Sequence, residues 1–427
     1  MLLQNSPYSE DGRVRREATA LRDAGYDVTV ICPRAAGEYR VMEFDGVRTY
    51  QYTQRCVGRG FVGYSVEYGY SMSATLVLSL YVFLRHGFDV IHAHNPPDFF
   101  VLIACLYKPF GKRFIFDHHD SAPELYKARF GNRSNALVLR VLAWFERLSC
   151  RMADHVLATN ESHKALELER AGIDPLRVTV VRNGPEAMHF RQVEPHPGLR
   201  NCGKTVIGYV GEMGKQDGLD YLIRSLGHLR HTLGREDWTC VLIGGGEVFD
   251  DLQQLAKQQG VADQVRFIGR VTFGEVVPYV SAMDICAVPD PSNSYNDRCT
   301  MIKVMEYMAQ GKPIVCFDLA ETRYSAQDAA LYVSGNDELE FARALMLLMD
   351  DRELRTRLGS AGRRRAEAEL AWRHFVPRLL TVYNRLSNPV LQQGRASNRG
   401  QSELEAANSS GDATDARAER QSPQPVS

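Results

Sequence analysis

The residues with the clearest capacity for chemistry lie in the stretch 296–317, NDRCTMIKVMEYMAQGKPIVCF. Apolar residues at helical spacing predict a helix there, and the Gly-Lys-Pro after it predicts a stop followed by a buried strand. Lys303 and Glu306 lie three residues apart, so they share one face of that helix. Three residues can cap its first turn through side-chain oxygens: Asn296, Asp297 and Thr300.

A cation and a carboxylate behind a capped helix N-terminus suit a sugar nucleotide. The N–H groups and Lys303 would meet phosphate, and Glu306 would hold ribose hydroxyls. An ordinary surface pair on a packed helix gives the same pattern, so both interpretations stay open from these residues alone.

Histidines follow two further predicted strands, in the segments DVIHAHNPPD and RFIFDHHD. Ligands of open α/β sheets bind beyond the carboxyl ends of strands, so His92 and His94 are expected at a cleft together with His118, His119 and Asp120. Local hydrogen bonds in the loops are the alternative, and His119 is the strongest functional candidate. Clustered His and Asp could hold a metal, but no HxxxH or HExxH spacing on a helix supports one.

The start of the chain predicts a short strand at 1–3, a polar loop and a helix from about residue 13. The short strand is either an edge strand or the end of one that begins further upstream. Asp11 and Gly12 form a turn into the helix, and Arg13 and Arg16 lie on or near it. Such a turn is a possible anion or acceptor site, and solvated charge is the alternative.

The composition indicates a globular protein of two domains. With 427 residues the chain is long for a single core, and its net charge of −1 gives no bulk reason to expect nucleic acid. Nine scattered cysteines without a CxxC pair argue against disulfides and zinc and favour a reducing compartment. Residues 1–20 lack a signal-peptide core, and the longest apolar run, about 74–84, is too short to span a bilayer.

Alternating strand and helix patterns fill two halves, separated by a loop-like stretch at 185–203. In the second half, the glycines at 244–246 follow a strand and precede a helix, which permits phosphate binding or simply tight packing. The helical segment 135–152 follows several basic residues and is unusually apolar. We expect this segment to be buried in the core, and contact with an anionic membrane surface is the alternative.

Taken together, these segments resemble the GT-B glycosyltransferases, and most closely the retaining glycosyltransferase family 4. The resemblance covers about residues 1–387 and is carried by EDGRVRREA, VIHAHNPPD, HHDSAPELY, VVRNGPE, GYVGEMGKQDG, VLIGGG, VRFIGRV and NDRCTMIKVMEYMAQGKPIV. It implies two Rossmann-like α/β domains that face each other across a cleft. The expected units are an acceptor domain at 1–190, a donor domain at 203–370, a C-terminal helix at 371–387 that crosses back, and a disordered tail at 388–427.

The resemblance also implies roles for individual residues. Glu306 matches the second glutamate of the family's pair, which grips the ribose, and His119 matches the histidine that contacts the donor sugar. The expected donor-binding set is Gly211, Lys215, Gly245, Arg270, Val271, Asn296, Arg298, Cys299, Thr300, Met301, Lys303 and Glu306. The expected acceptor-binding set is Asp11, Gly12, Arg13, Arg16, His94 and Asp120. No metal and no cofactor are expected.

Three positions depart from the family pattern. Arg298 stands where the first glutamate of the pair is expected, Glu212 where an arginine is expected, and Asp217 where a lysine is expected. Because a diphosphate among acids would be repelled, we expect other cations to have taken over, namely Lys303 and Arg298, with Lys215 as a further candidate.

The resulting hypothesis is a retaining transferase that moves a sugar from a nucleoside diphosphate to an acceptor hydroxyl. A saccharide or lipid-linked saccharide acceptor in surface polysaccharide or glycolipid assembly is expected, in the cytoplasm or on the inner face of the membrane, without nucleic acid. The alternatives are a nucleotide-sugar epimerase or phosphorylase on the same fold, or a nucleotide-sugar binding protein with impaired catalysis. A dinucleotide-dependent oxidoreductase is disfavoured because no GxGxxG follows the first strand.

Overall fold

The computed structural model describes residues 1–35, 37, 39–54, 61–131, 134–191, 193–199 and 203–387. The first half contains a parallel sheet with one antiparallel edge strand, β2. Its strands are β1 Thr29–Pro33, β2 Val41–Phe44, β3 Val47–Tyr52, β4 Val90–His94, β5 Arg113–His118, β6 His155–Ala158 and β7 Val178–Val180. The predicted tail at 388–427 lies outside the described residues.

The start of the chain lies in the middle of this sheet. Leu2 forms parallel bridges to Ile31 of β1 and to Ala93 of β4. Its N–H donates to the carbonyl of His92 at 2.8 Å, and the N–H of His94 donates to the carbonyl of Leu2 at 3.0 Å. The expectation of an edge strand was therefore wrong, because Leu2 joins the β1-β3-β2 and β4-β5-β6-β7 groups.

Helices flank the first sheet: α1 Gly12–Asp23, α2 Phe61–Arg85, α3 Val101–Tyr107, α4 Ala122–Phe130, α5 Ala136–Met152 and α6 Glu161–Ala171. The predicted α5 is present, but burial of its apolar face was only partly correct. Leu137 and Trp144 on α5 remain 67% and 56% exposed. Among the described residues, no helix combines the length and the apolar character needed to cross a bilayer.

The second half contains a six-stranded, fully parallel sheet in the order β10-β9-β8-β11-β12-β13. The strands are β8 Thr205–Val210, β9 Trp238–Ile243, β10 Val265–Gly269, β11 Ile285–Val288, β12 Ile314–Phe317 and β13 Ala330–Val333. The helices are α7 Leu219–His231, α8 Phe249–Gln258, α9 Phe273–Ala282, α10 Ile302–Ala309, α11 Ala320–Ala326, α12 Glu338–Asp350, α13 Arg352–Arg365 and α14 Val376–Ser387. By its contacts the chain divides into Met1–Leu379 and Leu380–Ser427, and residues 380–387 of the second unit continue α14.

The predicted capping of α10 was wrong. The helix begins at Ile302 after Met301, which makes no side-chain cap, and Asn296–Arg298 form a separate 3-10 turn. Asn296 instead donates through its amide to the carbonyls of Gln216 and Pro291, at 2.8 Å each. The side chain of Asn296, which the local pattern assigns to a helix cap, therefore bonds to distant backbone carbonyls instead.

The main chain crosses between the two halves twice, and the two crossings touch. The N–H of Trp372 donates to the carbonyl of Pro185 at 2.9 Å. A Cβ atom at Gly184 would lie 2.0 Å from the carbonyl oxygen of Leu370. Only glycine therefore permits the two segments to lie in contact.

Two of the three glycines at 244–246, Gly244 and Gly246, serve packing, one of the two roles that their pattern allows. Gly244 has a φ of +135°, and a Cβ atom there would lie 1.8 Å from the carbonyl oxygen of Gly211. At Gly246 a Cβ atom would lie 2.4 Å from the carbonyl oxygen of Met213. The loops after β8 and β9 are thus in backbone-to-backbone contact.

We expect Gly244→Ala to lower the free energy of unfolding by about 2–4 kcal/mol, because backbone rather than a flexible side chain opposes the methyl group. The matched control is Gly274→Ala on α9, where no atom lies within 4 Å of a Cβ. That variant should change stability by less than about 1 kcal/mol. Denaturant unfolding measures both, and equal stabilities would contradict the packing role.

Candidate functional site

Both sheets place loops where ligands of α/β proteins bind. In the second sheet the strand order reverses between β8 and β11, and in the first sheet it reverses between Leu2 and β4. Such reversals open a crevice at the carboxyl ends of the strands. The loops that start at Gly211 and Pro289 follow β8 and β11, and the predicted His94 ends β4.

Glu306 lies on α10 with its side chain 24% exposed and is oriented by a histidine that the sequence analysis missed. Nε2 of His189 lies 3.3 Å from Oε1 of Glu306. Nδ1 of His189 accepts the N–H of Glu186 at 3.0 Å, which places the proton of a neutral ring on Nε2. His189 belongs to the 3-10 turn Ala187–Phe190 after β7, and no pattern in the sequence marks it as a site residue. Glu306 and Glu186 are also the carboxylates whose charges act most on Arg16 of α1.

Lys303 is engaged by carboxylates. Its Nζ lies 2.9 Å from both carboxylate oxygens of Asp290 and 3.3 Å from the hydroxyl of Tyr209. Burial lowers the pKa of Lys303, but the charges of Asp290 and Asp217 outweigh it and the pKa is raised. Lys303 is thus a charged lysine that is already paired, and a phosphate would have to compete with Asp290.

The two acids at expected cation positions each lie close to a cation. Glu212 forms an exposed ion pair with Arg270 at 2.8 Å. Asp217 accepts the N–H of Gly214 at 2.9 Å. Burial raises the pKa of Asp217 to about 6, with Asp290 adding to the shift and Lys303 opposing it. The departures from the family pattern therefore come with their own counter-ions.

The remaining residues of the predicted donor set lie along the loops at this end of the second sheet. Lys215 is exposed in a 3-10 turn, and the guanidinium of Arg298 donates to the carbonyl of Ser294 at 2.9 Å. The rest comprise Gly211 after β8, Gly245 after β9 and Val271 after β10, together with two residues before α10, namely Cys299, which is buried, and Met301, which is half-buried. Within the described part of the chain no contact assigns them a ligand, so their donor role stays a prediction.

The loop before α10 is bonded to residues of the first half. Asn160 donates through Nδ2 to the carbonyl of Arg298 at 2.7 Å and to the hydroxyl of Thr300 at 2.9 Å. The hydroxyl of Tyr295 donates to Asp120 at 2.9 Å. Asp120, predicted to bind acceptor, therefore already carries one hydrogen bond across the cleft.

Asn95 holds the loop that carries His119. Its Oδ1 accepts the N–H groups of His119 and Asp120 at 2.8 and 3.2 Å, and its Nδ2 donates to the carbonyl of Asp120 at 2.6 Å. Nδ1 of His119 lies 3.7 Å from Asp117, and the ring is partly exposed. His119 is thus positioned to meet a ligand, whereas the buried Asn95 acts through the backbone. Its position directly after His94, at the end of a predicted strand, is the sequence signal for Asn95.

Arg13 and His94, both predicted to bind the acceptor, are buried in one network. Arg13 donates to both oxygens of Asp117, at 2.7 and 2.6 Å, to the carbonyl of Val181 at 2.9 Å and to Asn183 at 2.7 Å. Nδ1 of His94 lies 2.8 Å from Asp117. Their hydrogen-bonding groups bind other protein groups, so these two side chains hold the neighbouring loops in place.

Four side chains of this network could ligate a metal ion by type: Glu17, His92, His94 and Asp117. Their donor atoms lie within 4.8 Å of one another, and all four residues are buried. Arg13 already supplies a cation to this cluster, since it is bonded to Asp117 and lies 3.1 Å from Glu17. A divalent ion would be repelled by that guanidinium, so the charges favour a metal-free network.

His118 is likewise buried and belongs to a second network behind the sheet. Its Nδ1 lies 3.0 Å from Glu167 and its Nε2 lies 3.6 Å from Glu146. Burial alone would lower the pKa of His118, but these two carboxylates raise it well above the usual value. His118 is therefore a buried cation of the framework.

Two protein-family models match the chain. Residues 12–184 match the description "Glycosyl transferase 4-like domain", and residues 204–351 match "Glycosyl transferases group 1". The chain therefore carries a glycosyltransferase 4-like domain followed by a glycosyltransferase group 1 domain.

Curated relatives match about half of the chain. D-inositol 3-phosphate glycosyltransferase from Salinispora arenicola is 30% identical over 253 residues, which cover 54% of this chain and 54% of that protein. The protein of the same name from Nocardia farcinica is 28% identical over 250 residues, which cover 54% and 52%. The chain thus spans about half the length of these relatives.

Solved structures confirm the fold. Sucrose-phosphate synthase from Thermosynechococcus elongatus superposes with a TM-score of 0.73 at 17% identity, covering 90% of this chain and 98% of that one. Anabaena HepE in complex with UDP-glucose gives a TM-score of 0.65 at 14% identity, covering 90% and 98%. The predicted fold of two Rossmann-like domains, the GT-B fold, is confirmed.

We expect the stability of the Arg13 network to depend on pH through Glu17. Burial raises the pKa of Glu17 to about 8, with Arg13 opposing the shift. Between pH 4.5 and 8 the folded chain thus holds a proton that the unfolded chain has released, so stability falls as pH rises through this window. Glu17→Gln should flatten this dependence and stabilise the protein at pH 8 by about 1–3 kcal/mol.

Denaturant unfolding at pH 5, 6, 7 and 8 tests this expectation. Glu10→Gln is the control, since Glu10 is an exposed acid in the loop before α1. An unchanged slope of stability against pH in Glu17→Gln would show that Glu17 is ionised in the folded protein.

Proposed function

We propose that this chain is a glycosyltransferase that moves a sugar from a nucleoside diphosphate to an acceptor hydroxyl, with retention at the anomeric carbon. The observation that carries the proposal is Glu306. It is a partly exposed carboxylate in the group 1 domain, held by His189 and electrostatically coupled to Arg16 of the 4-like domain. A carboxylate at this position can accept hydrogen bonds from both ribose hydroxyls.

The relatives support the choice of donor class. Anabaena HepE is described in complex with UDP and with UDP-glucose, and it shares the fold of this chain at 13–14% identity. The curated relatives are named as glycosyltransferases that act on D-inositol 3-phosphate. A nucleotide sugar is therefore the donor class proposed here.

The proposed chemistry needs stabilisation of the leaving diphosphate. Breaking the glycosidic bond builds negative charge there, and N–H groups and cations aimed at it lower the barrier without a bound metal. His119 would hold and polarise the donor sugar from the 4-like domain. In the front-face mechanism proposed for retention, the leaving phosphate takes the proton of the acceptor hydroxyl.

The exposed apolar side chains of the first half favour an acceptor at a membrane surface. Phe83 of α2 packs on Phe110 after α3, with ring centroids 5.8 Å apart, and Phe99 before α3 packs on Phe145 of α5 at 5.9 Å. The three helices are therefore neighbours in one layer. Exposed on this layer are Leu80, Leu84, Leu102, Leu106, Phe110, Leu137, Val141 and Trp144. We propose peripheral contact with the inner face of the cell membrane and a lipid-linked saccharide acceptor.

A nucleotide-sugar binding protein with impaired catalysis is the second candidate. The observation in its favour is that Lys303 and Arg270 are neutralised by Asp290 and Glu212. Tight donor binding without hydrolysis or transfer across many acceptors would support this candidate over the transferase.

The donor proposal predicts a strong effect of Glu306→Gln. Nucleoside diphosphates and their sugars at 100 times the dissociation constant should stabilise the wild type by about 2.7 kcal/mol. Loss of a charged hydrogen bond to ribose should weaken binding by about 10-fold or more and lower sugar transfer accordingly. Glu353→Gln, an exposed change on α13, is the control.

Thermal shift and a transfer assay with anomeric analysis of the product measure these effects. Unchanged affinity and transfer in Glu306→Gln would refute its role as a donor ligand. A product of inverted configuration would refute retention alone.

The membrane proposal predicts that the protein sediments with vesicles containing phosphatidylglycerol more than with vesicles of phosphatidylcholine alone. The double variant Leu137→Ser and Trp144→Ser should weaken this binding by about 100-fold or more, because each side chain contributes about 1.5–3 kcal/mol when buried and each 1.4 kcal/mol is a factor of ten. Leu347→Ser is the control, since Leu347 is exposed on α12 of the group 1 domain. Equal sedimentation of the wild type and the double variant would exclude this surface.

A further inference from the structure

Arg16 is a buried cation without a counter-ion. Its side chain lies on α1 and is only 8% exposed. Among the described residues, its guanidinium donates no hydrogen bond and has no carboxylate oxygen within 4.0 Å, and its Nε is fully buried without a partner. The centroid of the indole ring of Trp372 lies 5.9 Å from its Cζ, so the guanidinium faces an aromatic ring.

The neighbouring arginine on the same helix shows what a structural role looks like. Arg13, three residues earlier, satisfies its guanidinium with Asp117, Asn183 and the carbonyl of Val181. A buried guanidinium normally requires such partners, because removal of its hydration is costly. Burial lowers the pKa of Arg16, and the more distant Glu186 and Glu306 oppose the shift only in part. An anion that is absent from the free protein would supply the missing partner.

The first turn of α1 adds further donors beside Arg16. Asp11 caps the helix, since its Oδ1 accepts the N–H of Val14 at 2.9 Å and its Oδ2 accepts the hydroxyl of Ser6 at 3.1 Å. The N–H groups of Gly12 and Arg13 donate no hydrogen bond within the described part of the chain. A Cβ atom at Gly12 would lie 3.6 Å from Nη1 of Arg16, so the guanidinium lies against this turn.

Three other cations that could serve a phosphate are already engaged, whereas Lys215 is exposed in a 3-10 turn. Lys303 is paired with Asp290, and Arg270 is paired with Glu212. Arg298 donates to the carbonyl of Ser294. Arg16 has no such engagement and is coupled to Glu306, the proposed ribose ligand.

We propose that the guanidinium of Arg16 and the first turn of α1 form a binding site for a phosphoryl group. The site itself stands on the geometry of α1. The identity of its ligand rests on the proposed function, in which the group is either the diphosphate of the donor or a phosphate of the acceptor. The helix N-terminus supplies N–H groups and a positive dipole end, and Arg16 supplies a charged fork.

Calorimetry with UDP, GDP and ADP and with the matching nucleosides tests the donor arm. Arg16→Met should weaken diphosphate binding about 10-fold or more and leave nucleoside binding within about twofold. Arg16→Lys keeps the charge without the fork and should lie between. Arg15→Met is the matched control, because Arg15 is an exposed cation of α1 that pairs with Asp45 at 2.9 Å.

Inorganic phosphate, added to protein saturated with nucleoside diphosphate, distinguishes the two sources. If the site holds the donor, the diphosphate excludes phosphate from it. If the site holds an acceptor phosphate, phosphate still binds, binding depends on Arg16, and diphosphate affinity is unchanged in Arg16→Met. The proposal is overturned when neither affinity depends on Arg16.

Thermal unfolding provides a second readout, because it distinguishes a ligand-binding arginine from a structural one. Arg16→Met should unfold at the wild-type temperature or higher, because an unpaired buried charge is removed, whereas Arg13→Met should unfold at a clearly lower temperature. A decrease in Arg16→Met equal to that in Arg13→Met would overturn the proposal. If the wild type binds no nucleoside diphosphate but binds phosphate through Arg16, the proposed function fails and the site stands.

Discussion

The pair of Arg13 and Asp117 is the interaction on which the first domain depends. One guanidinium joins α1, the end of β5 and the segment after β7, since it reaches Asp117, the carbonyl of Val181 and Asn183. Because Asp117 also holds His94 and lies beneath His119, the same charge pair positions the loop that faces the cleft. A buried pair of this kind contributes specificity of arrangement more than net stability.

In the second domain the charges are rearranged rather than lost. Asp217 stands where the family pattern has a lysine, and Lys303 lies close enough to Asp217 for their charges to interact. Asp290 then binds Lys303 directly, which fixes its Nζ against the ring of Tyr209 at 4.7 Å. With two carboxylates and one ammonium group the cluster carries no excess positive charge, whereas the family pattern has a cation at position 217. The donor phosphates would therefore need positive charge from the first domain.

Local patterns predicted those elements that are decided by local forces. Strand β12 lies where an apolar run follows a Gly-Lys-Pro stop. The antiparallel strand β2 was missed although the Asp45-Gly46 turn before β3 is a hairpin signal. Residues 338–387 contain α12, α13 and α14, with a π-helical segment between the last two. Patterns locate helical residues well, but the breaks depend on packing.

The site was predicted in part for the same reason. Spacing placed Glu306 on the correct helix, but the cap at Asn296 was lost because Gln216 and Pro291 offer closer acceptors. The pairing of Lys303 with Asp290 joins a helix to the end of a strand, which no local period encodes. His189 lies in the 3-10 turn Ala187–Phe190, and only its proximity to Glu306 identifies it. The family pattern thus predicted which residues could form the site, and tertiary contacts decide which of their charges are already paired.

The contact between the two chain crossings has a mechanical consequence. Gly184 lies against Leu370, and the N–H of Trp372 is bonded to the carbonyl of Pro185. Because a Cβ atom at position 184 would collide with the backbone of Leu370, a substitution of Gly184 would displace both segments at once. Each segment therefore limits where the other can lie, although they are far apart in the sequence.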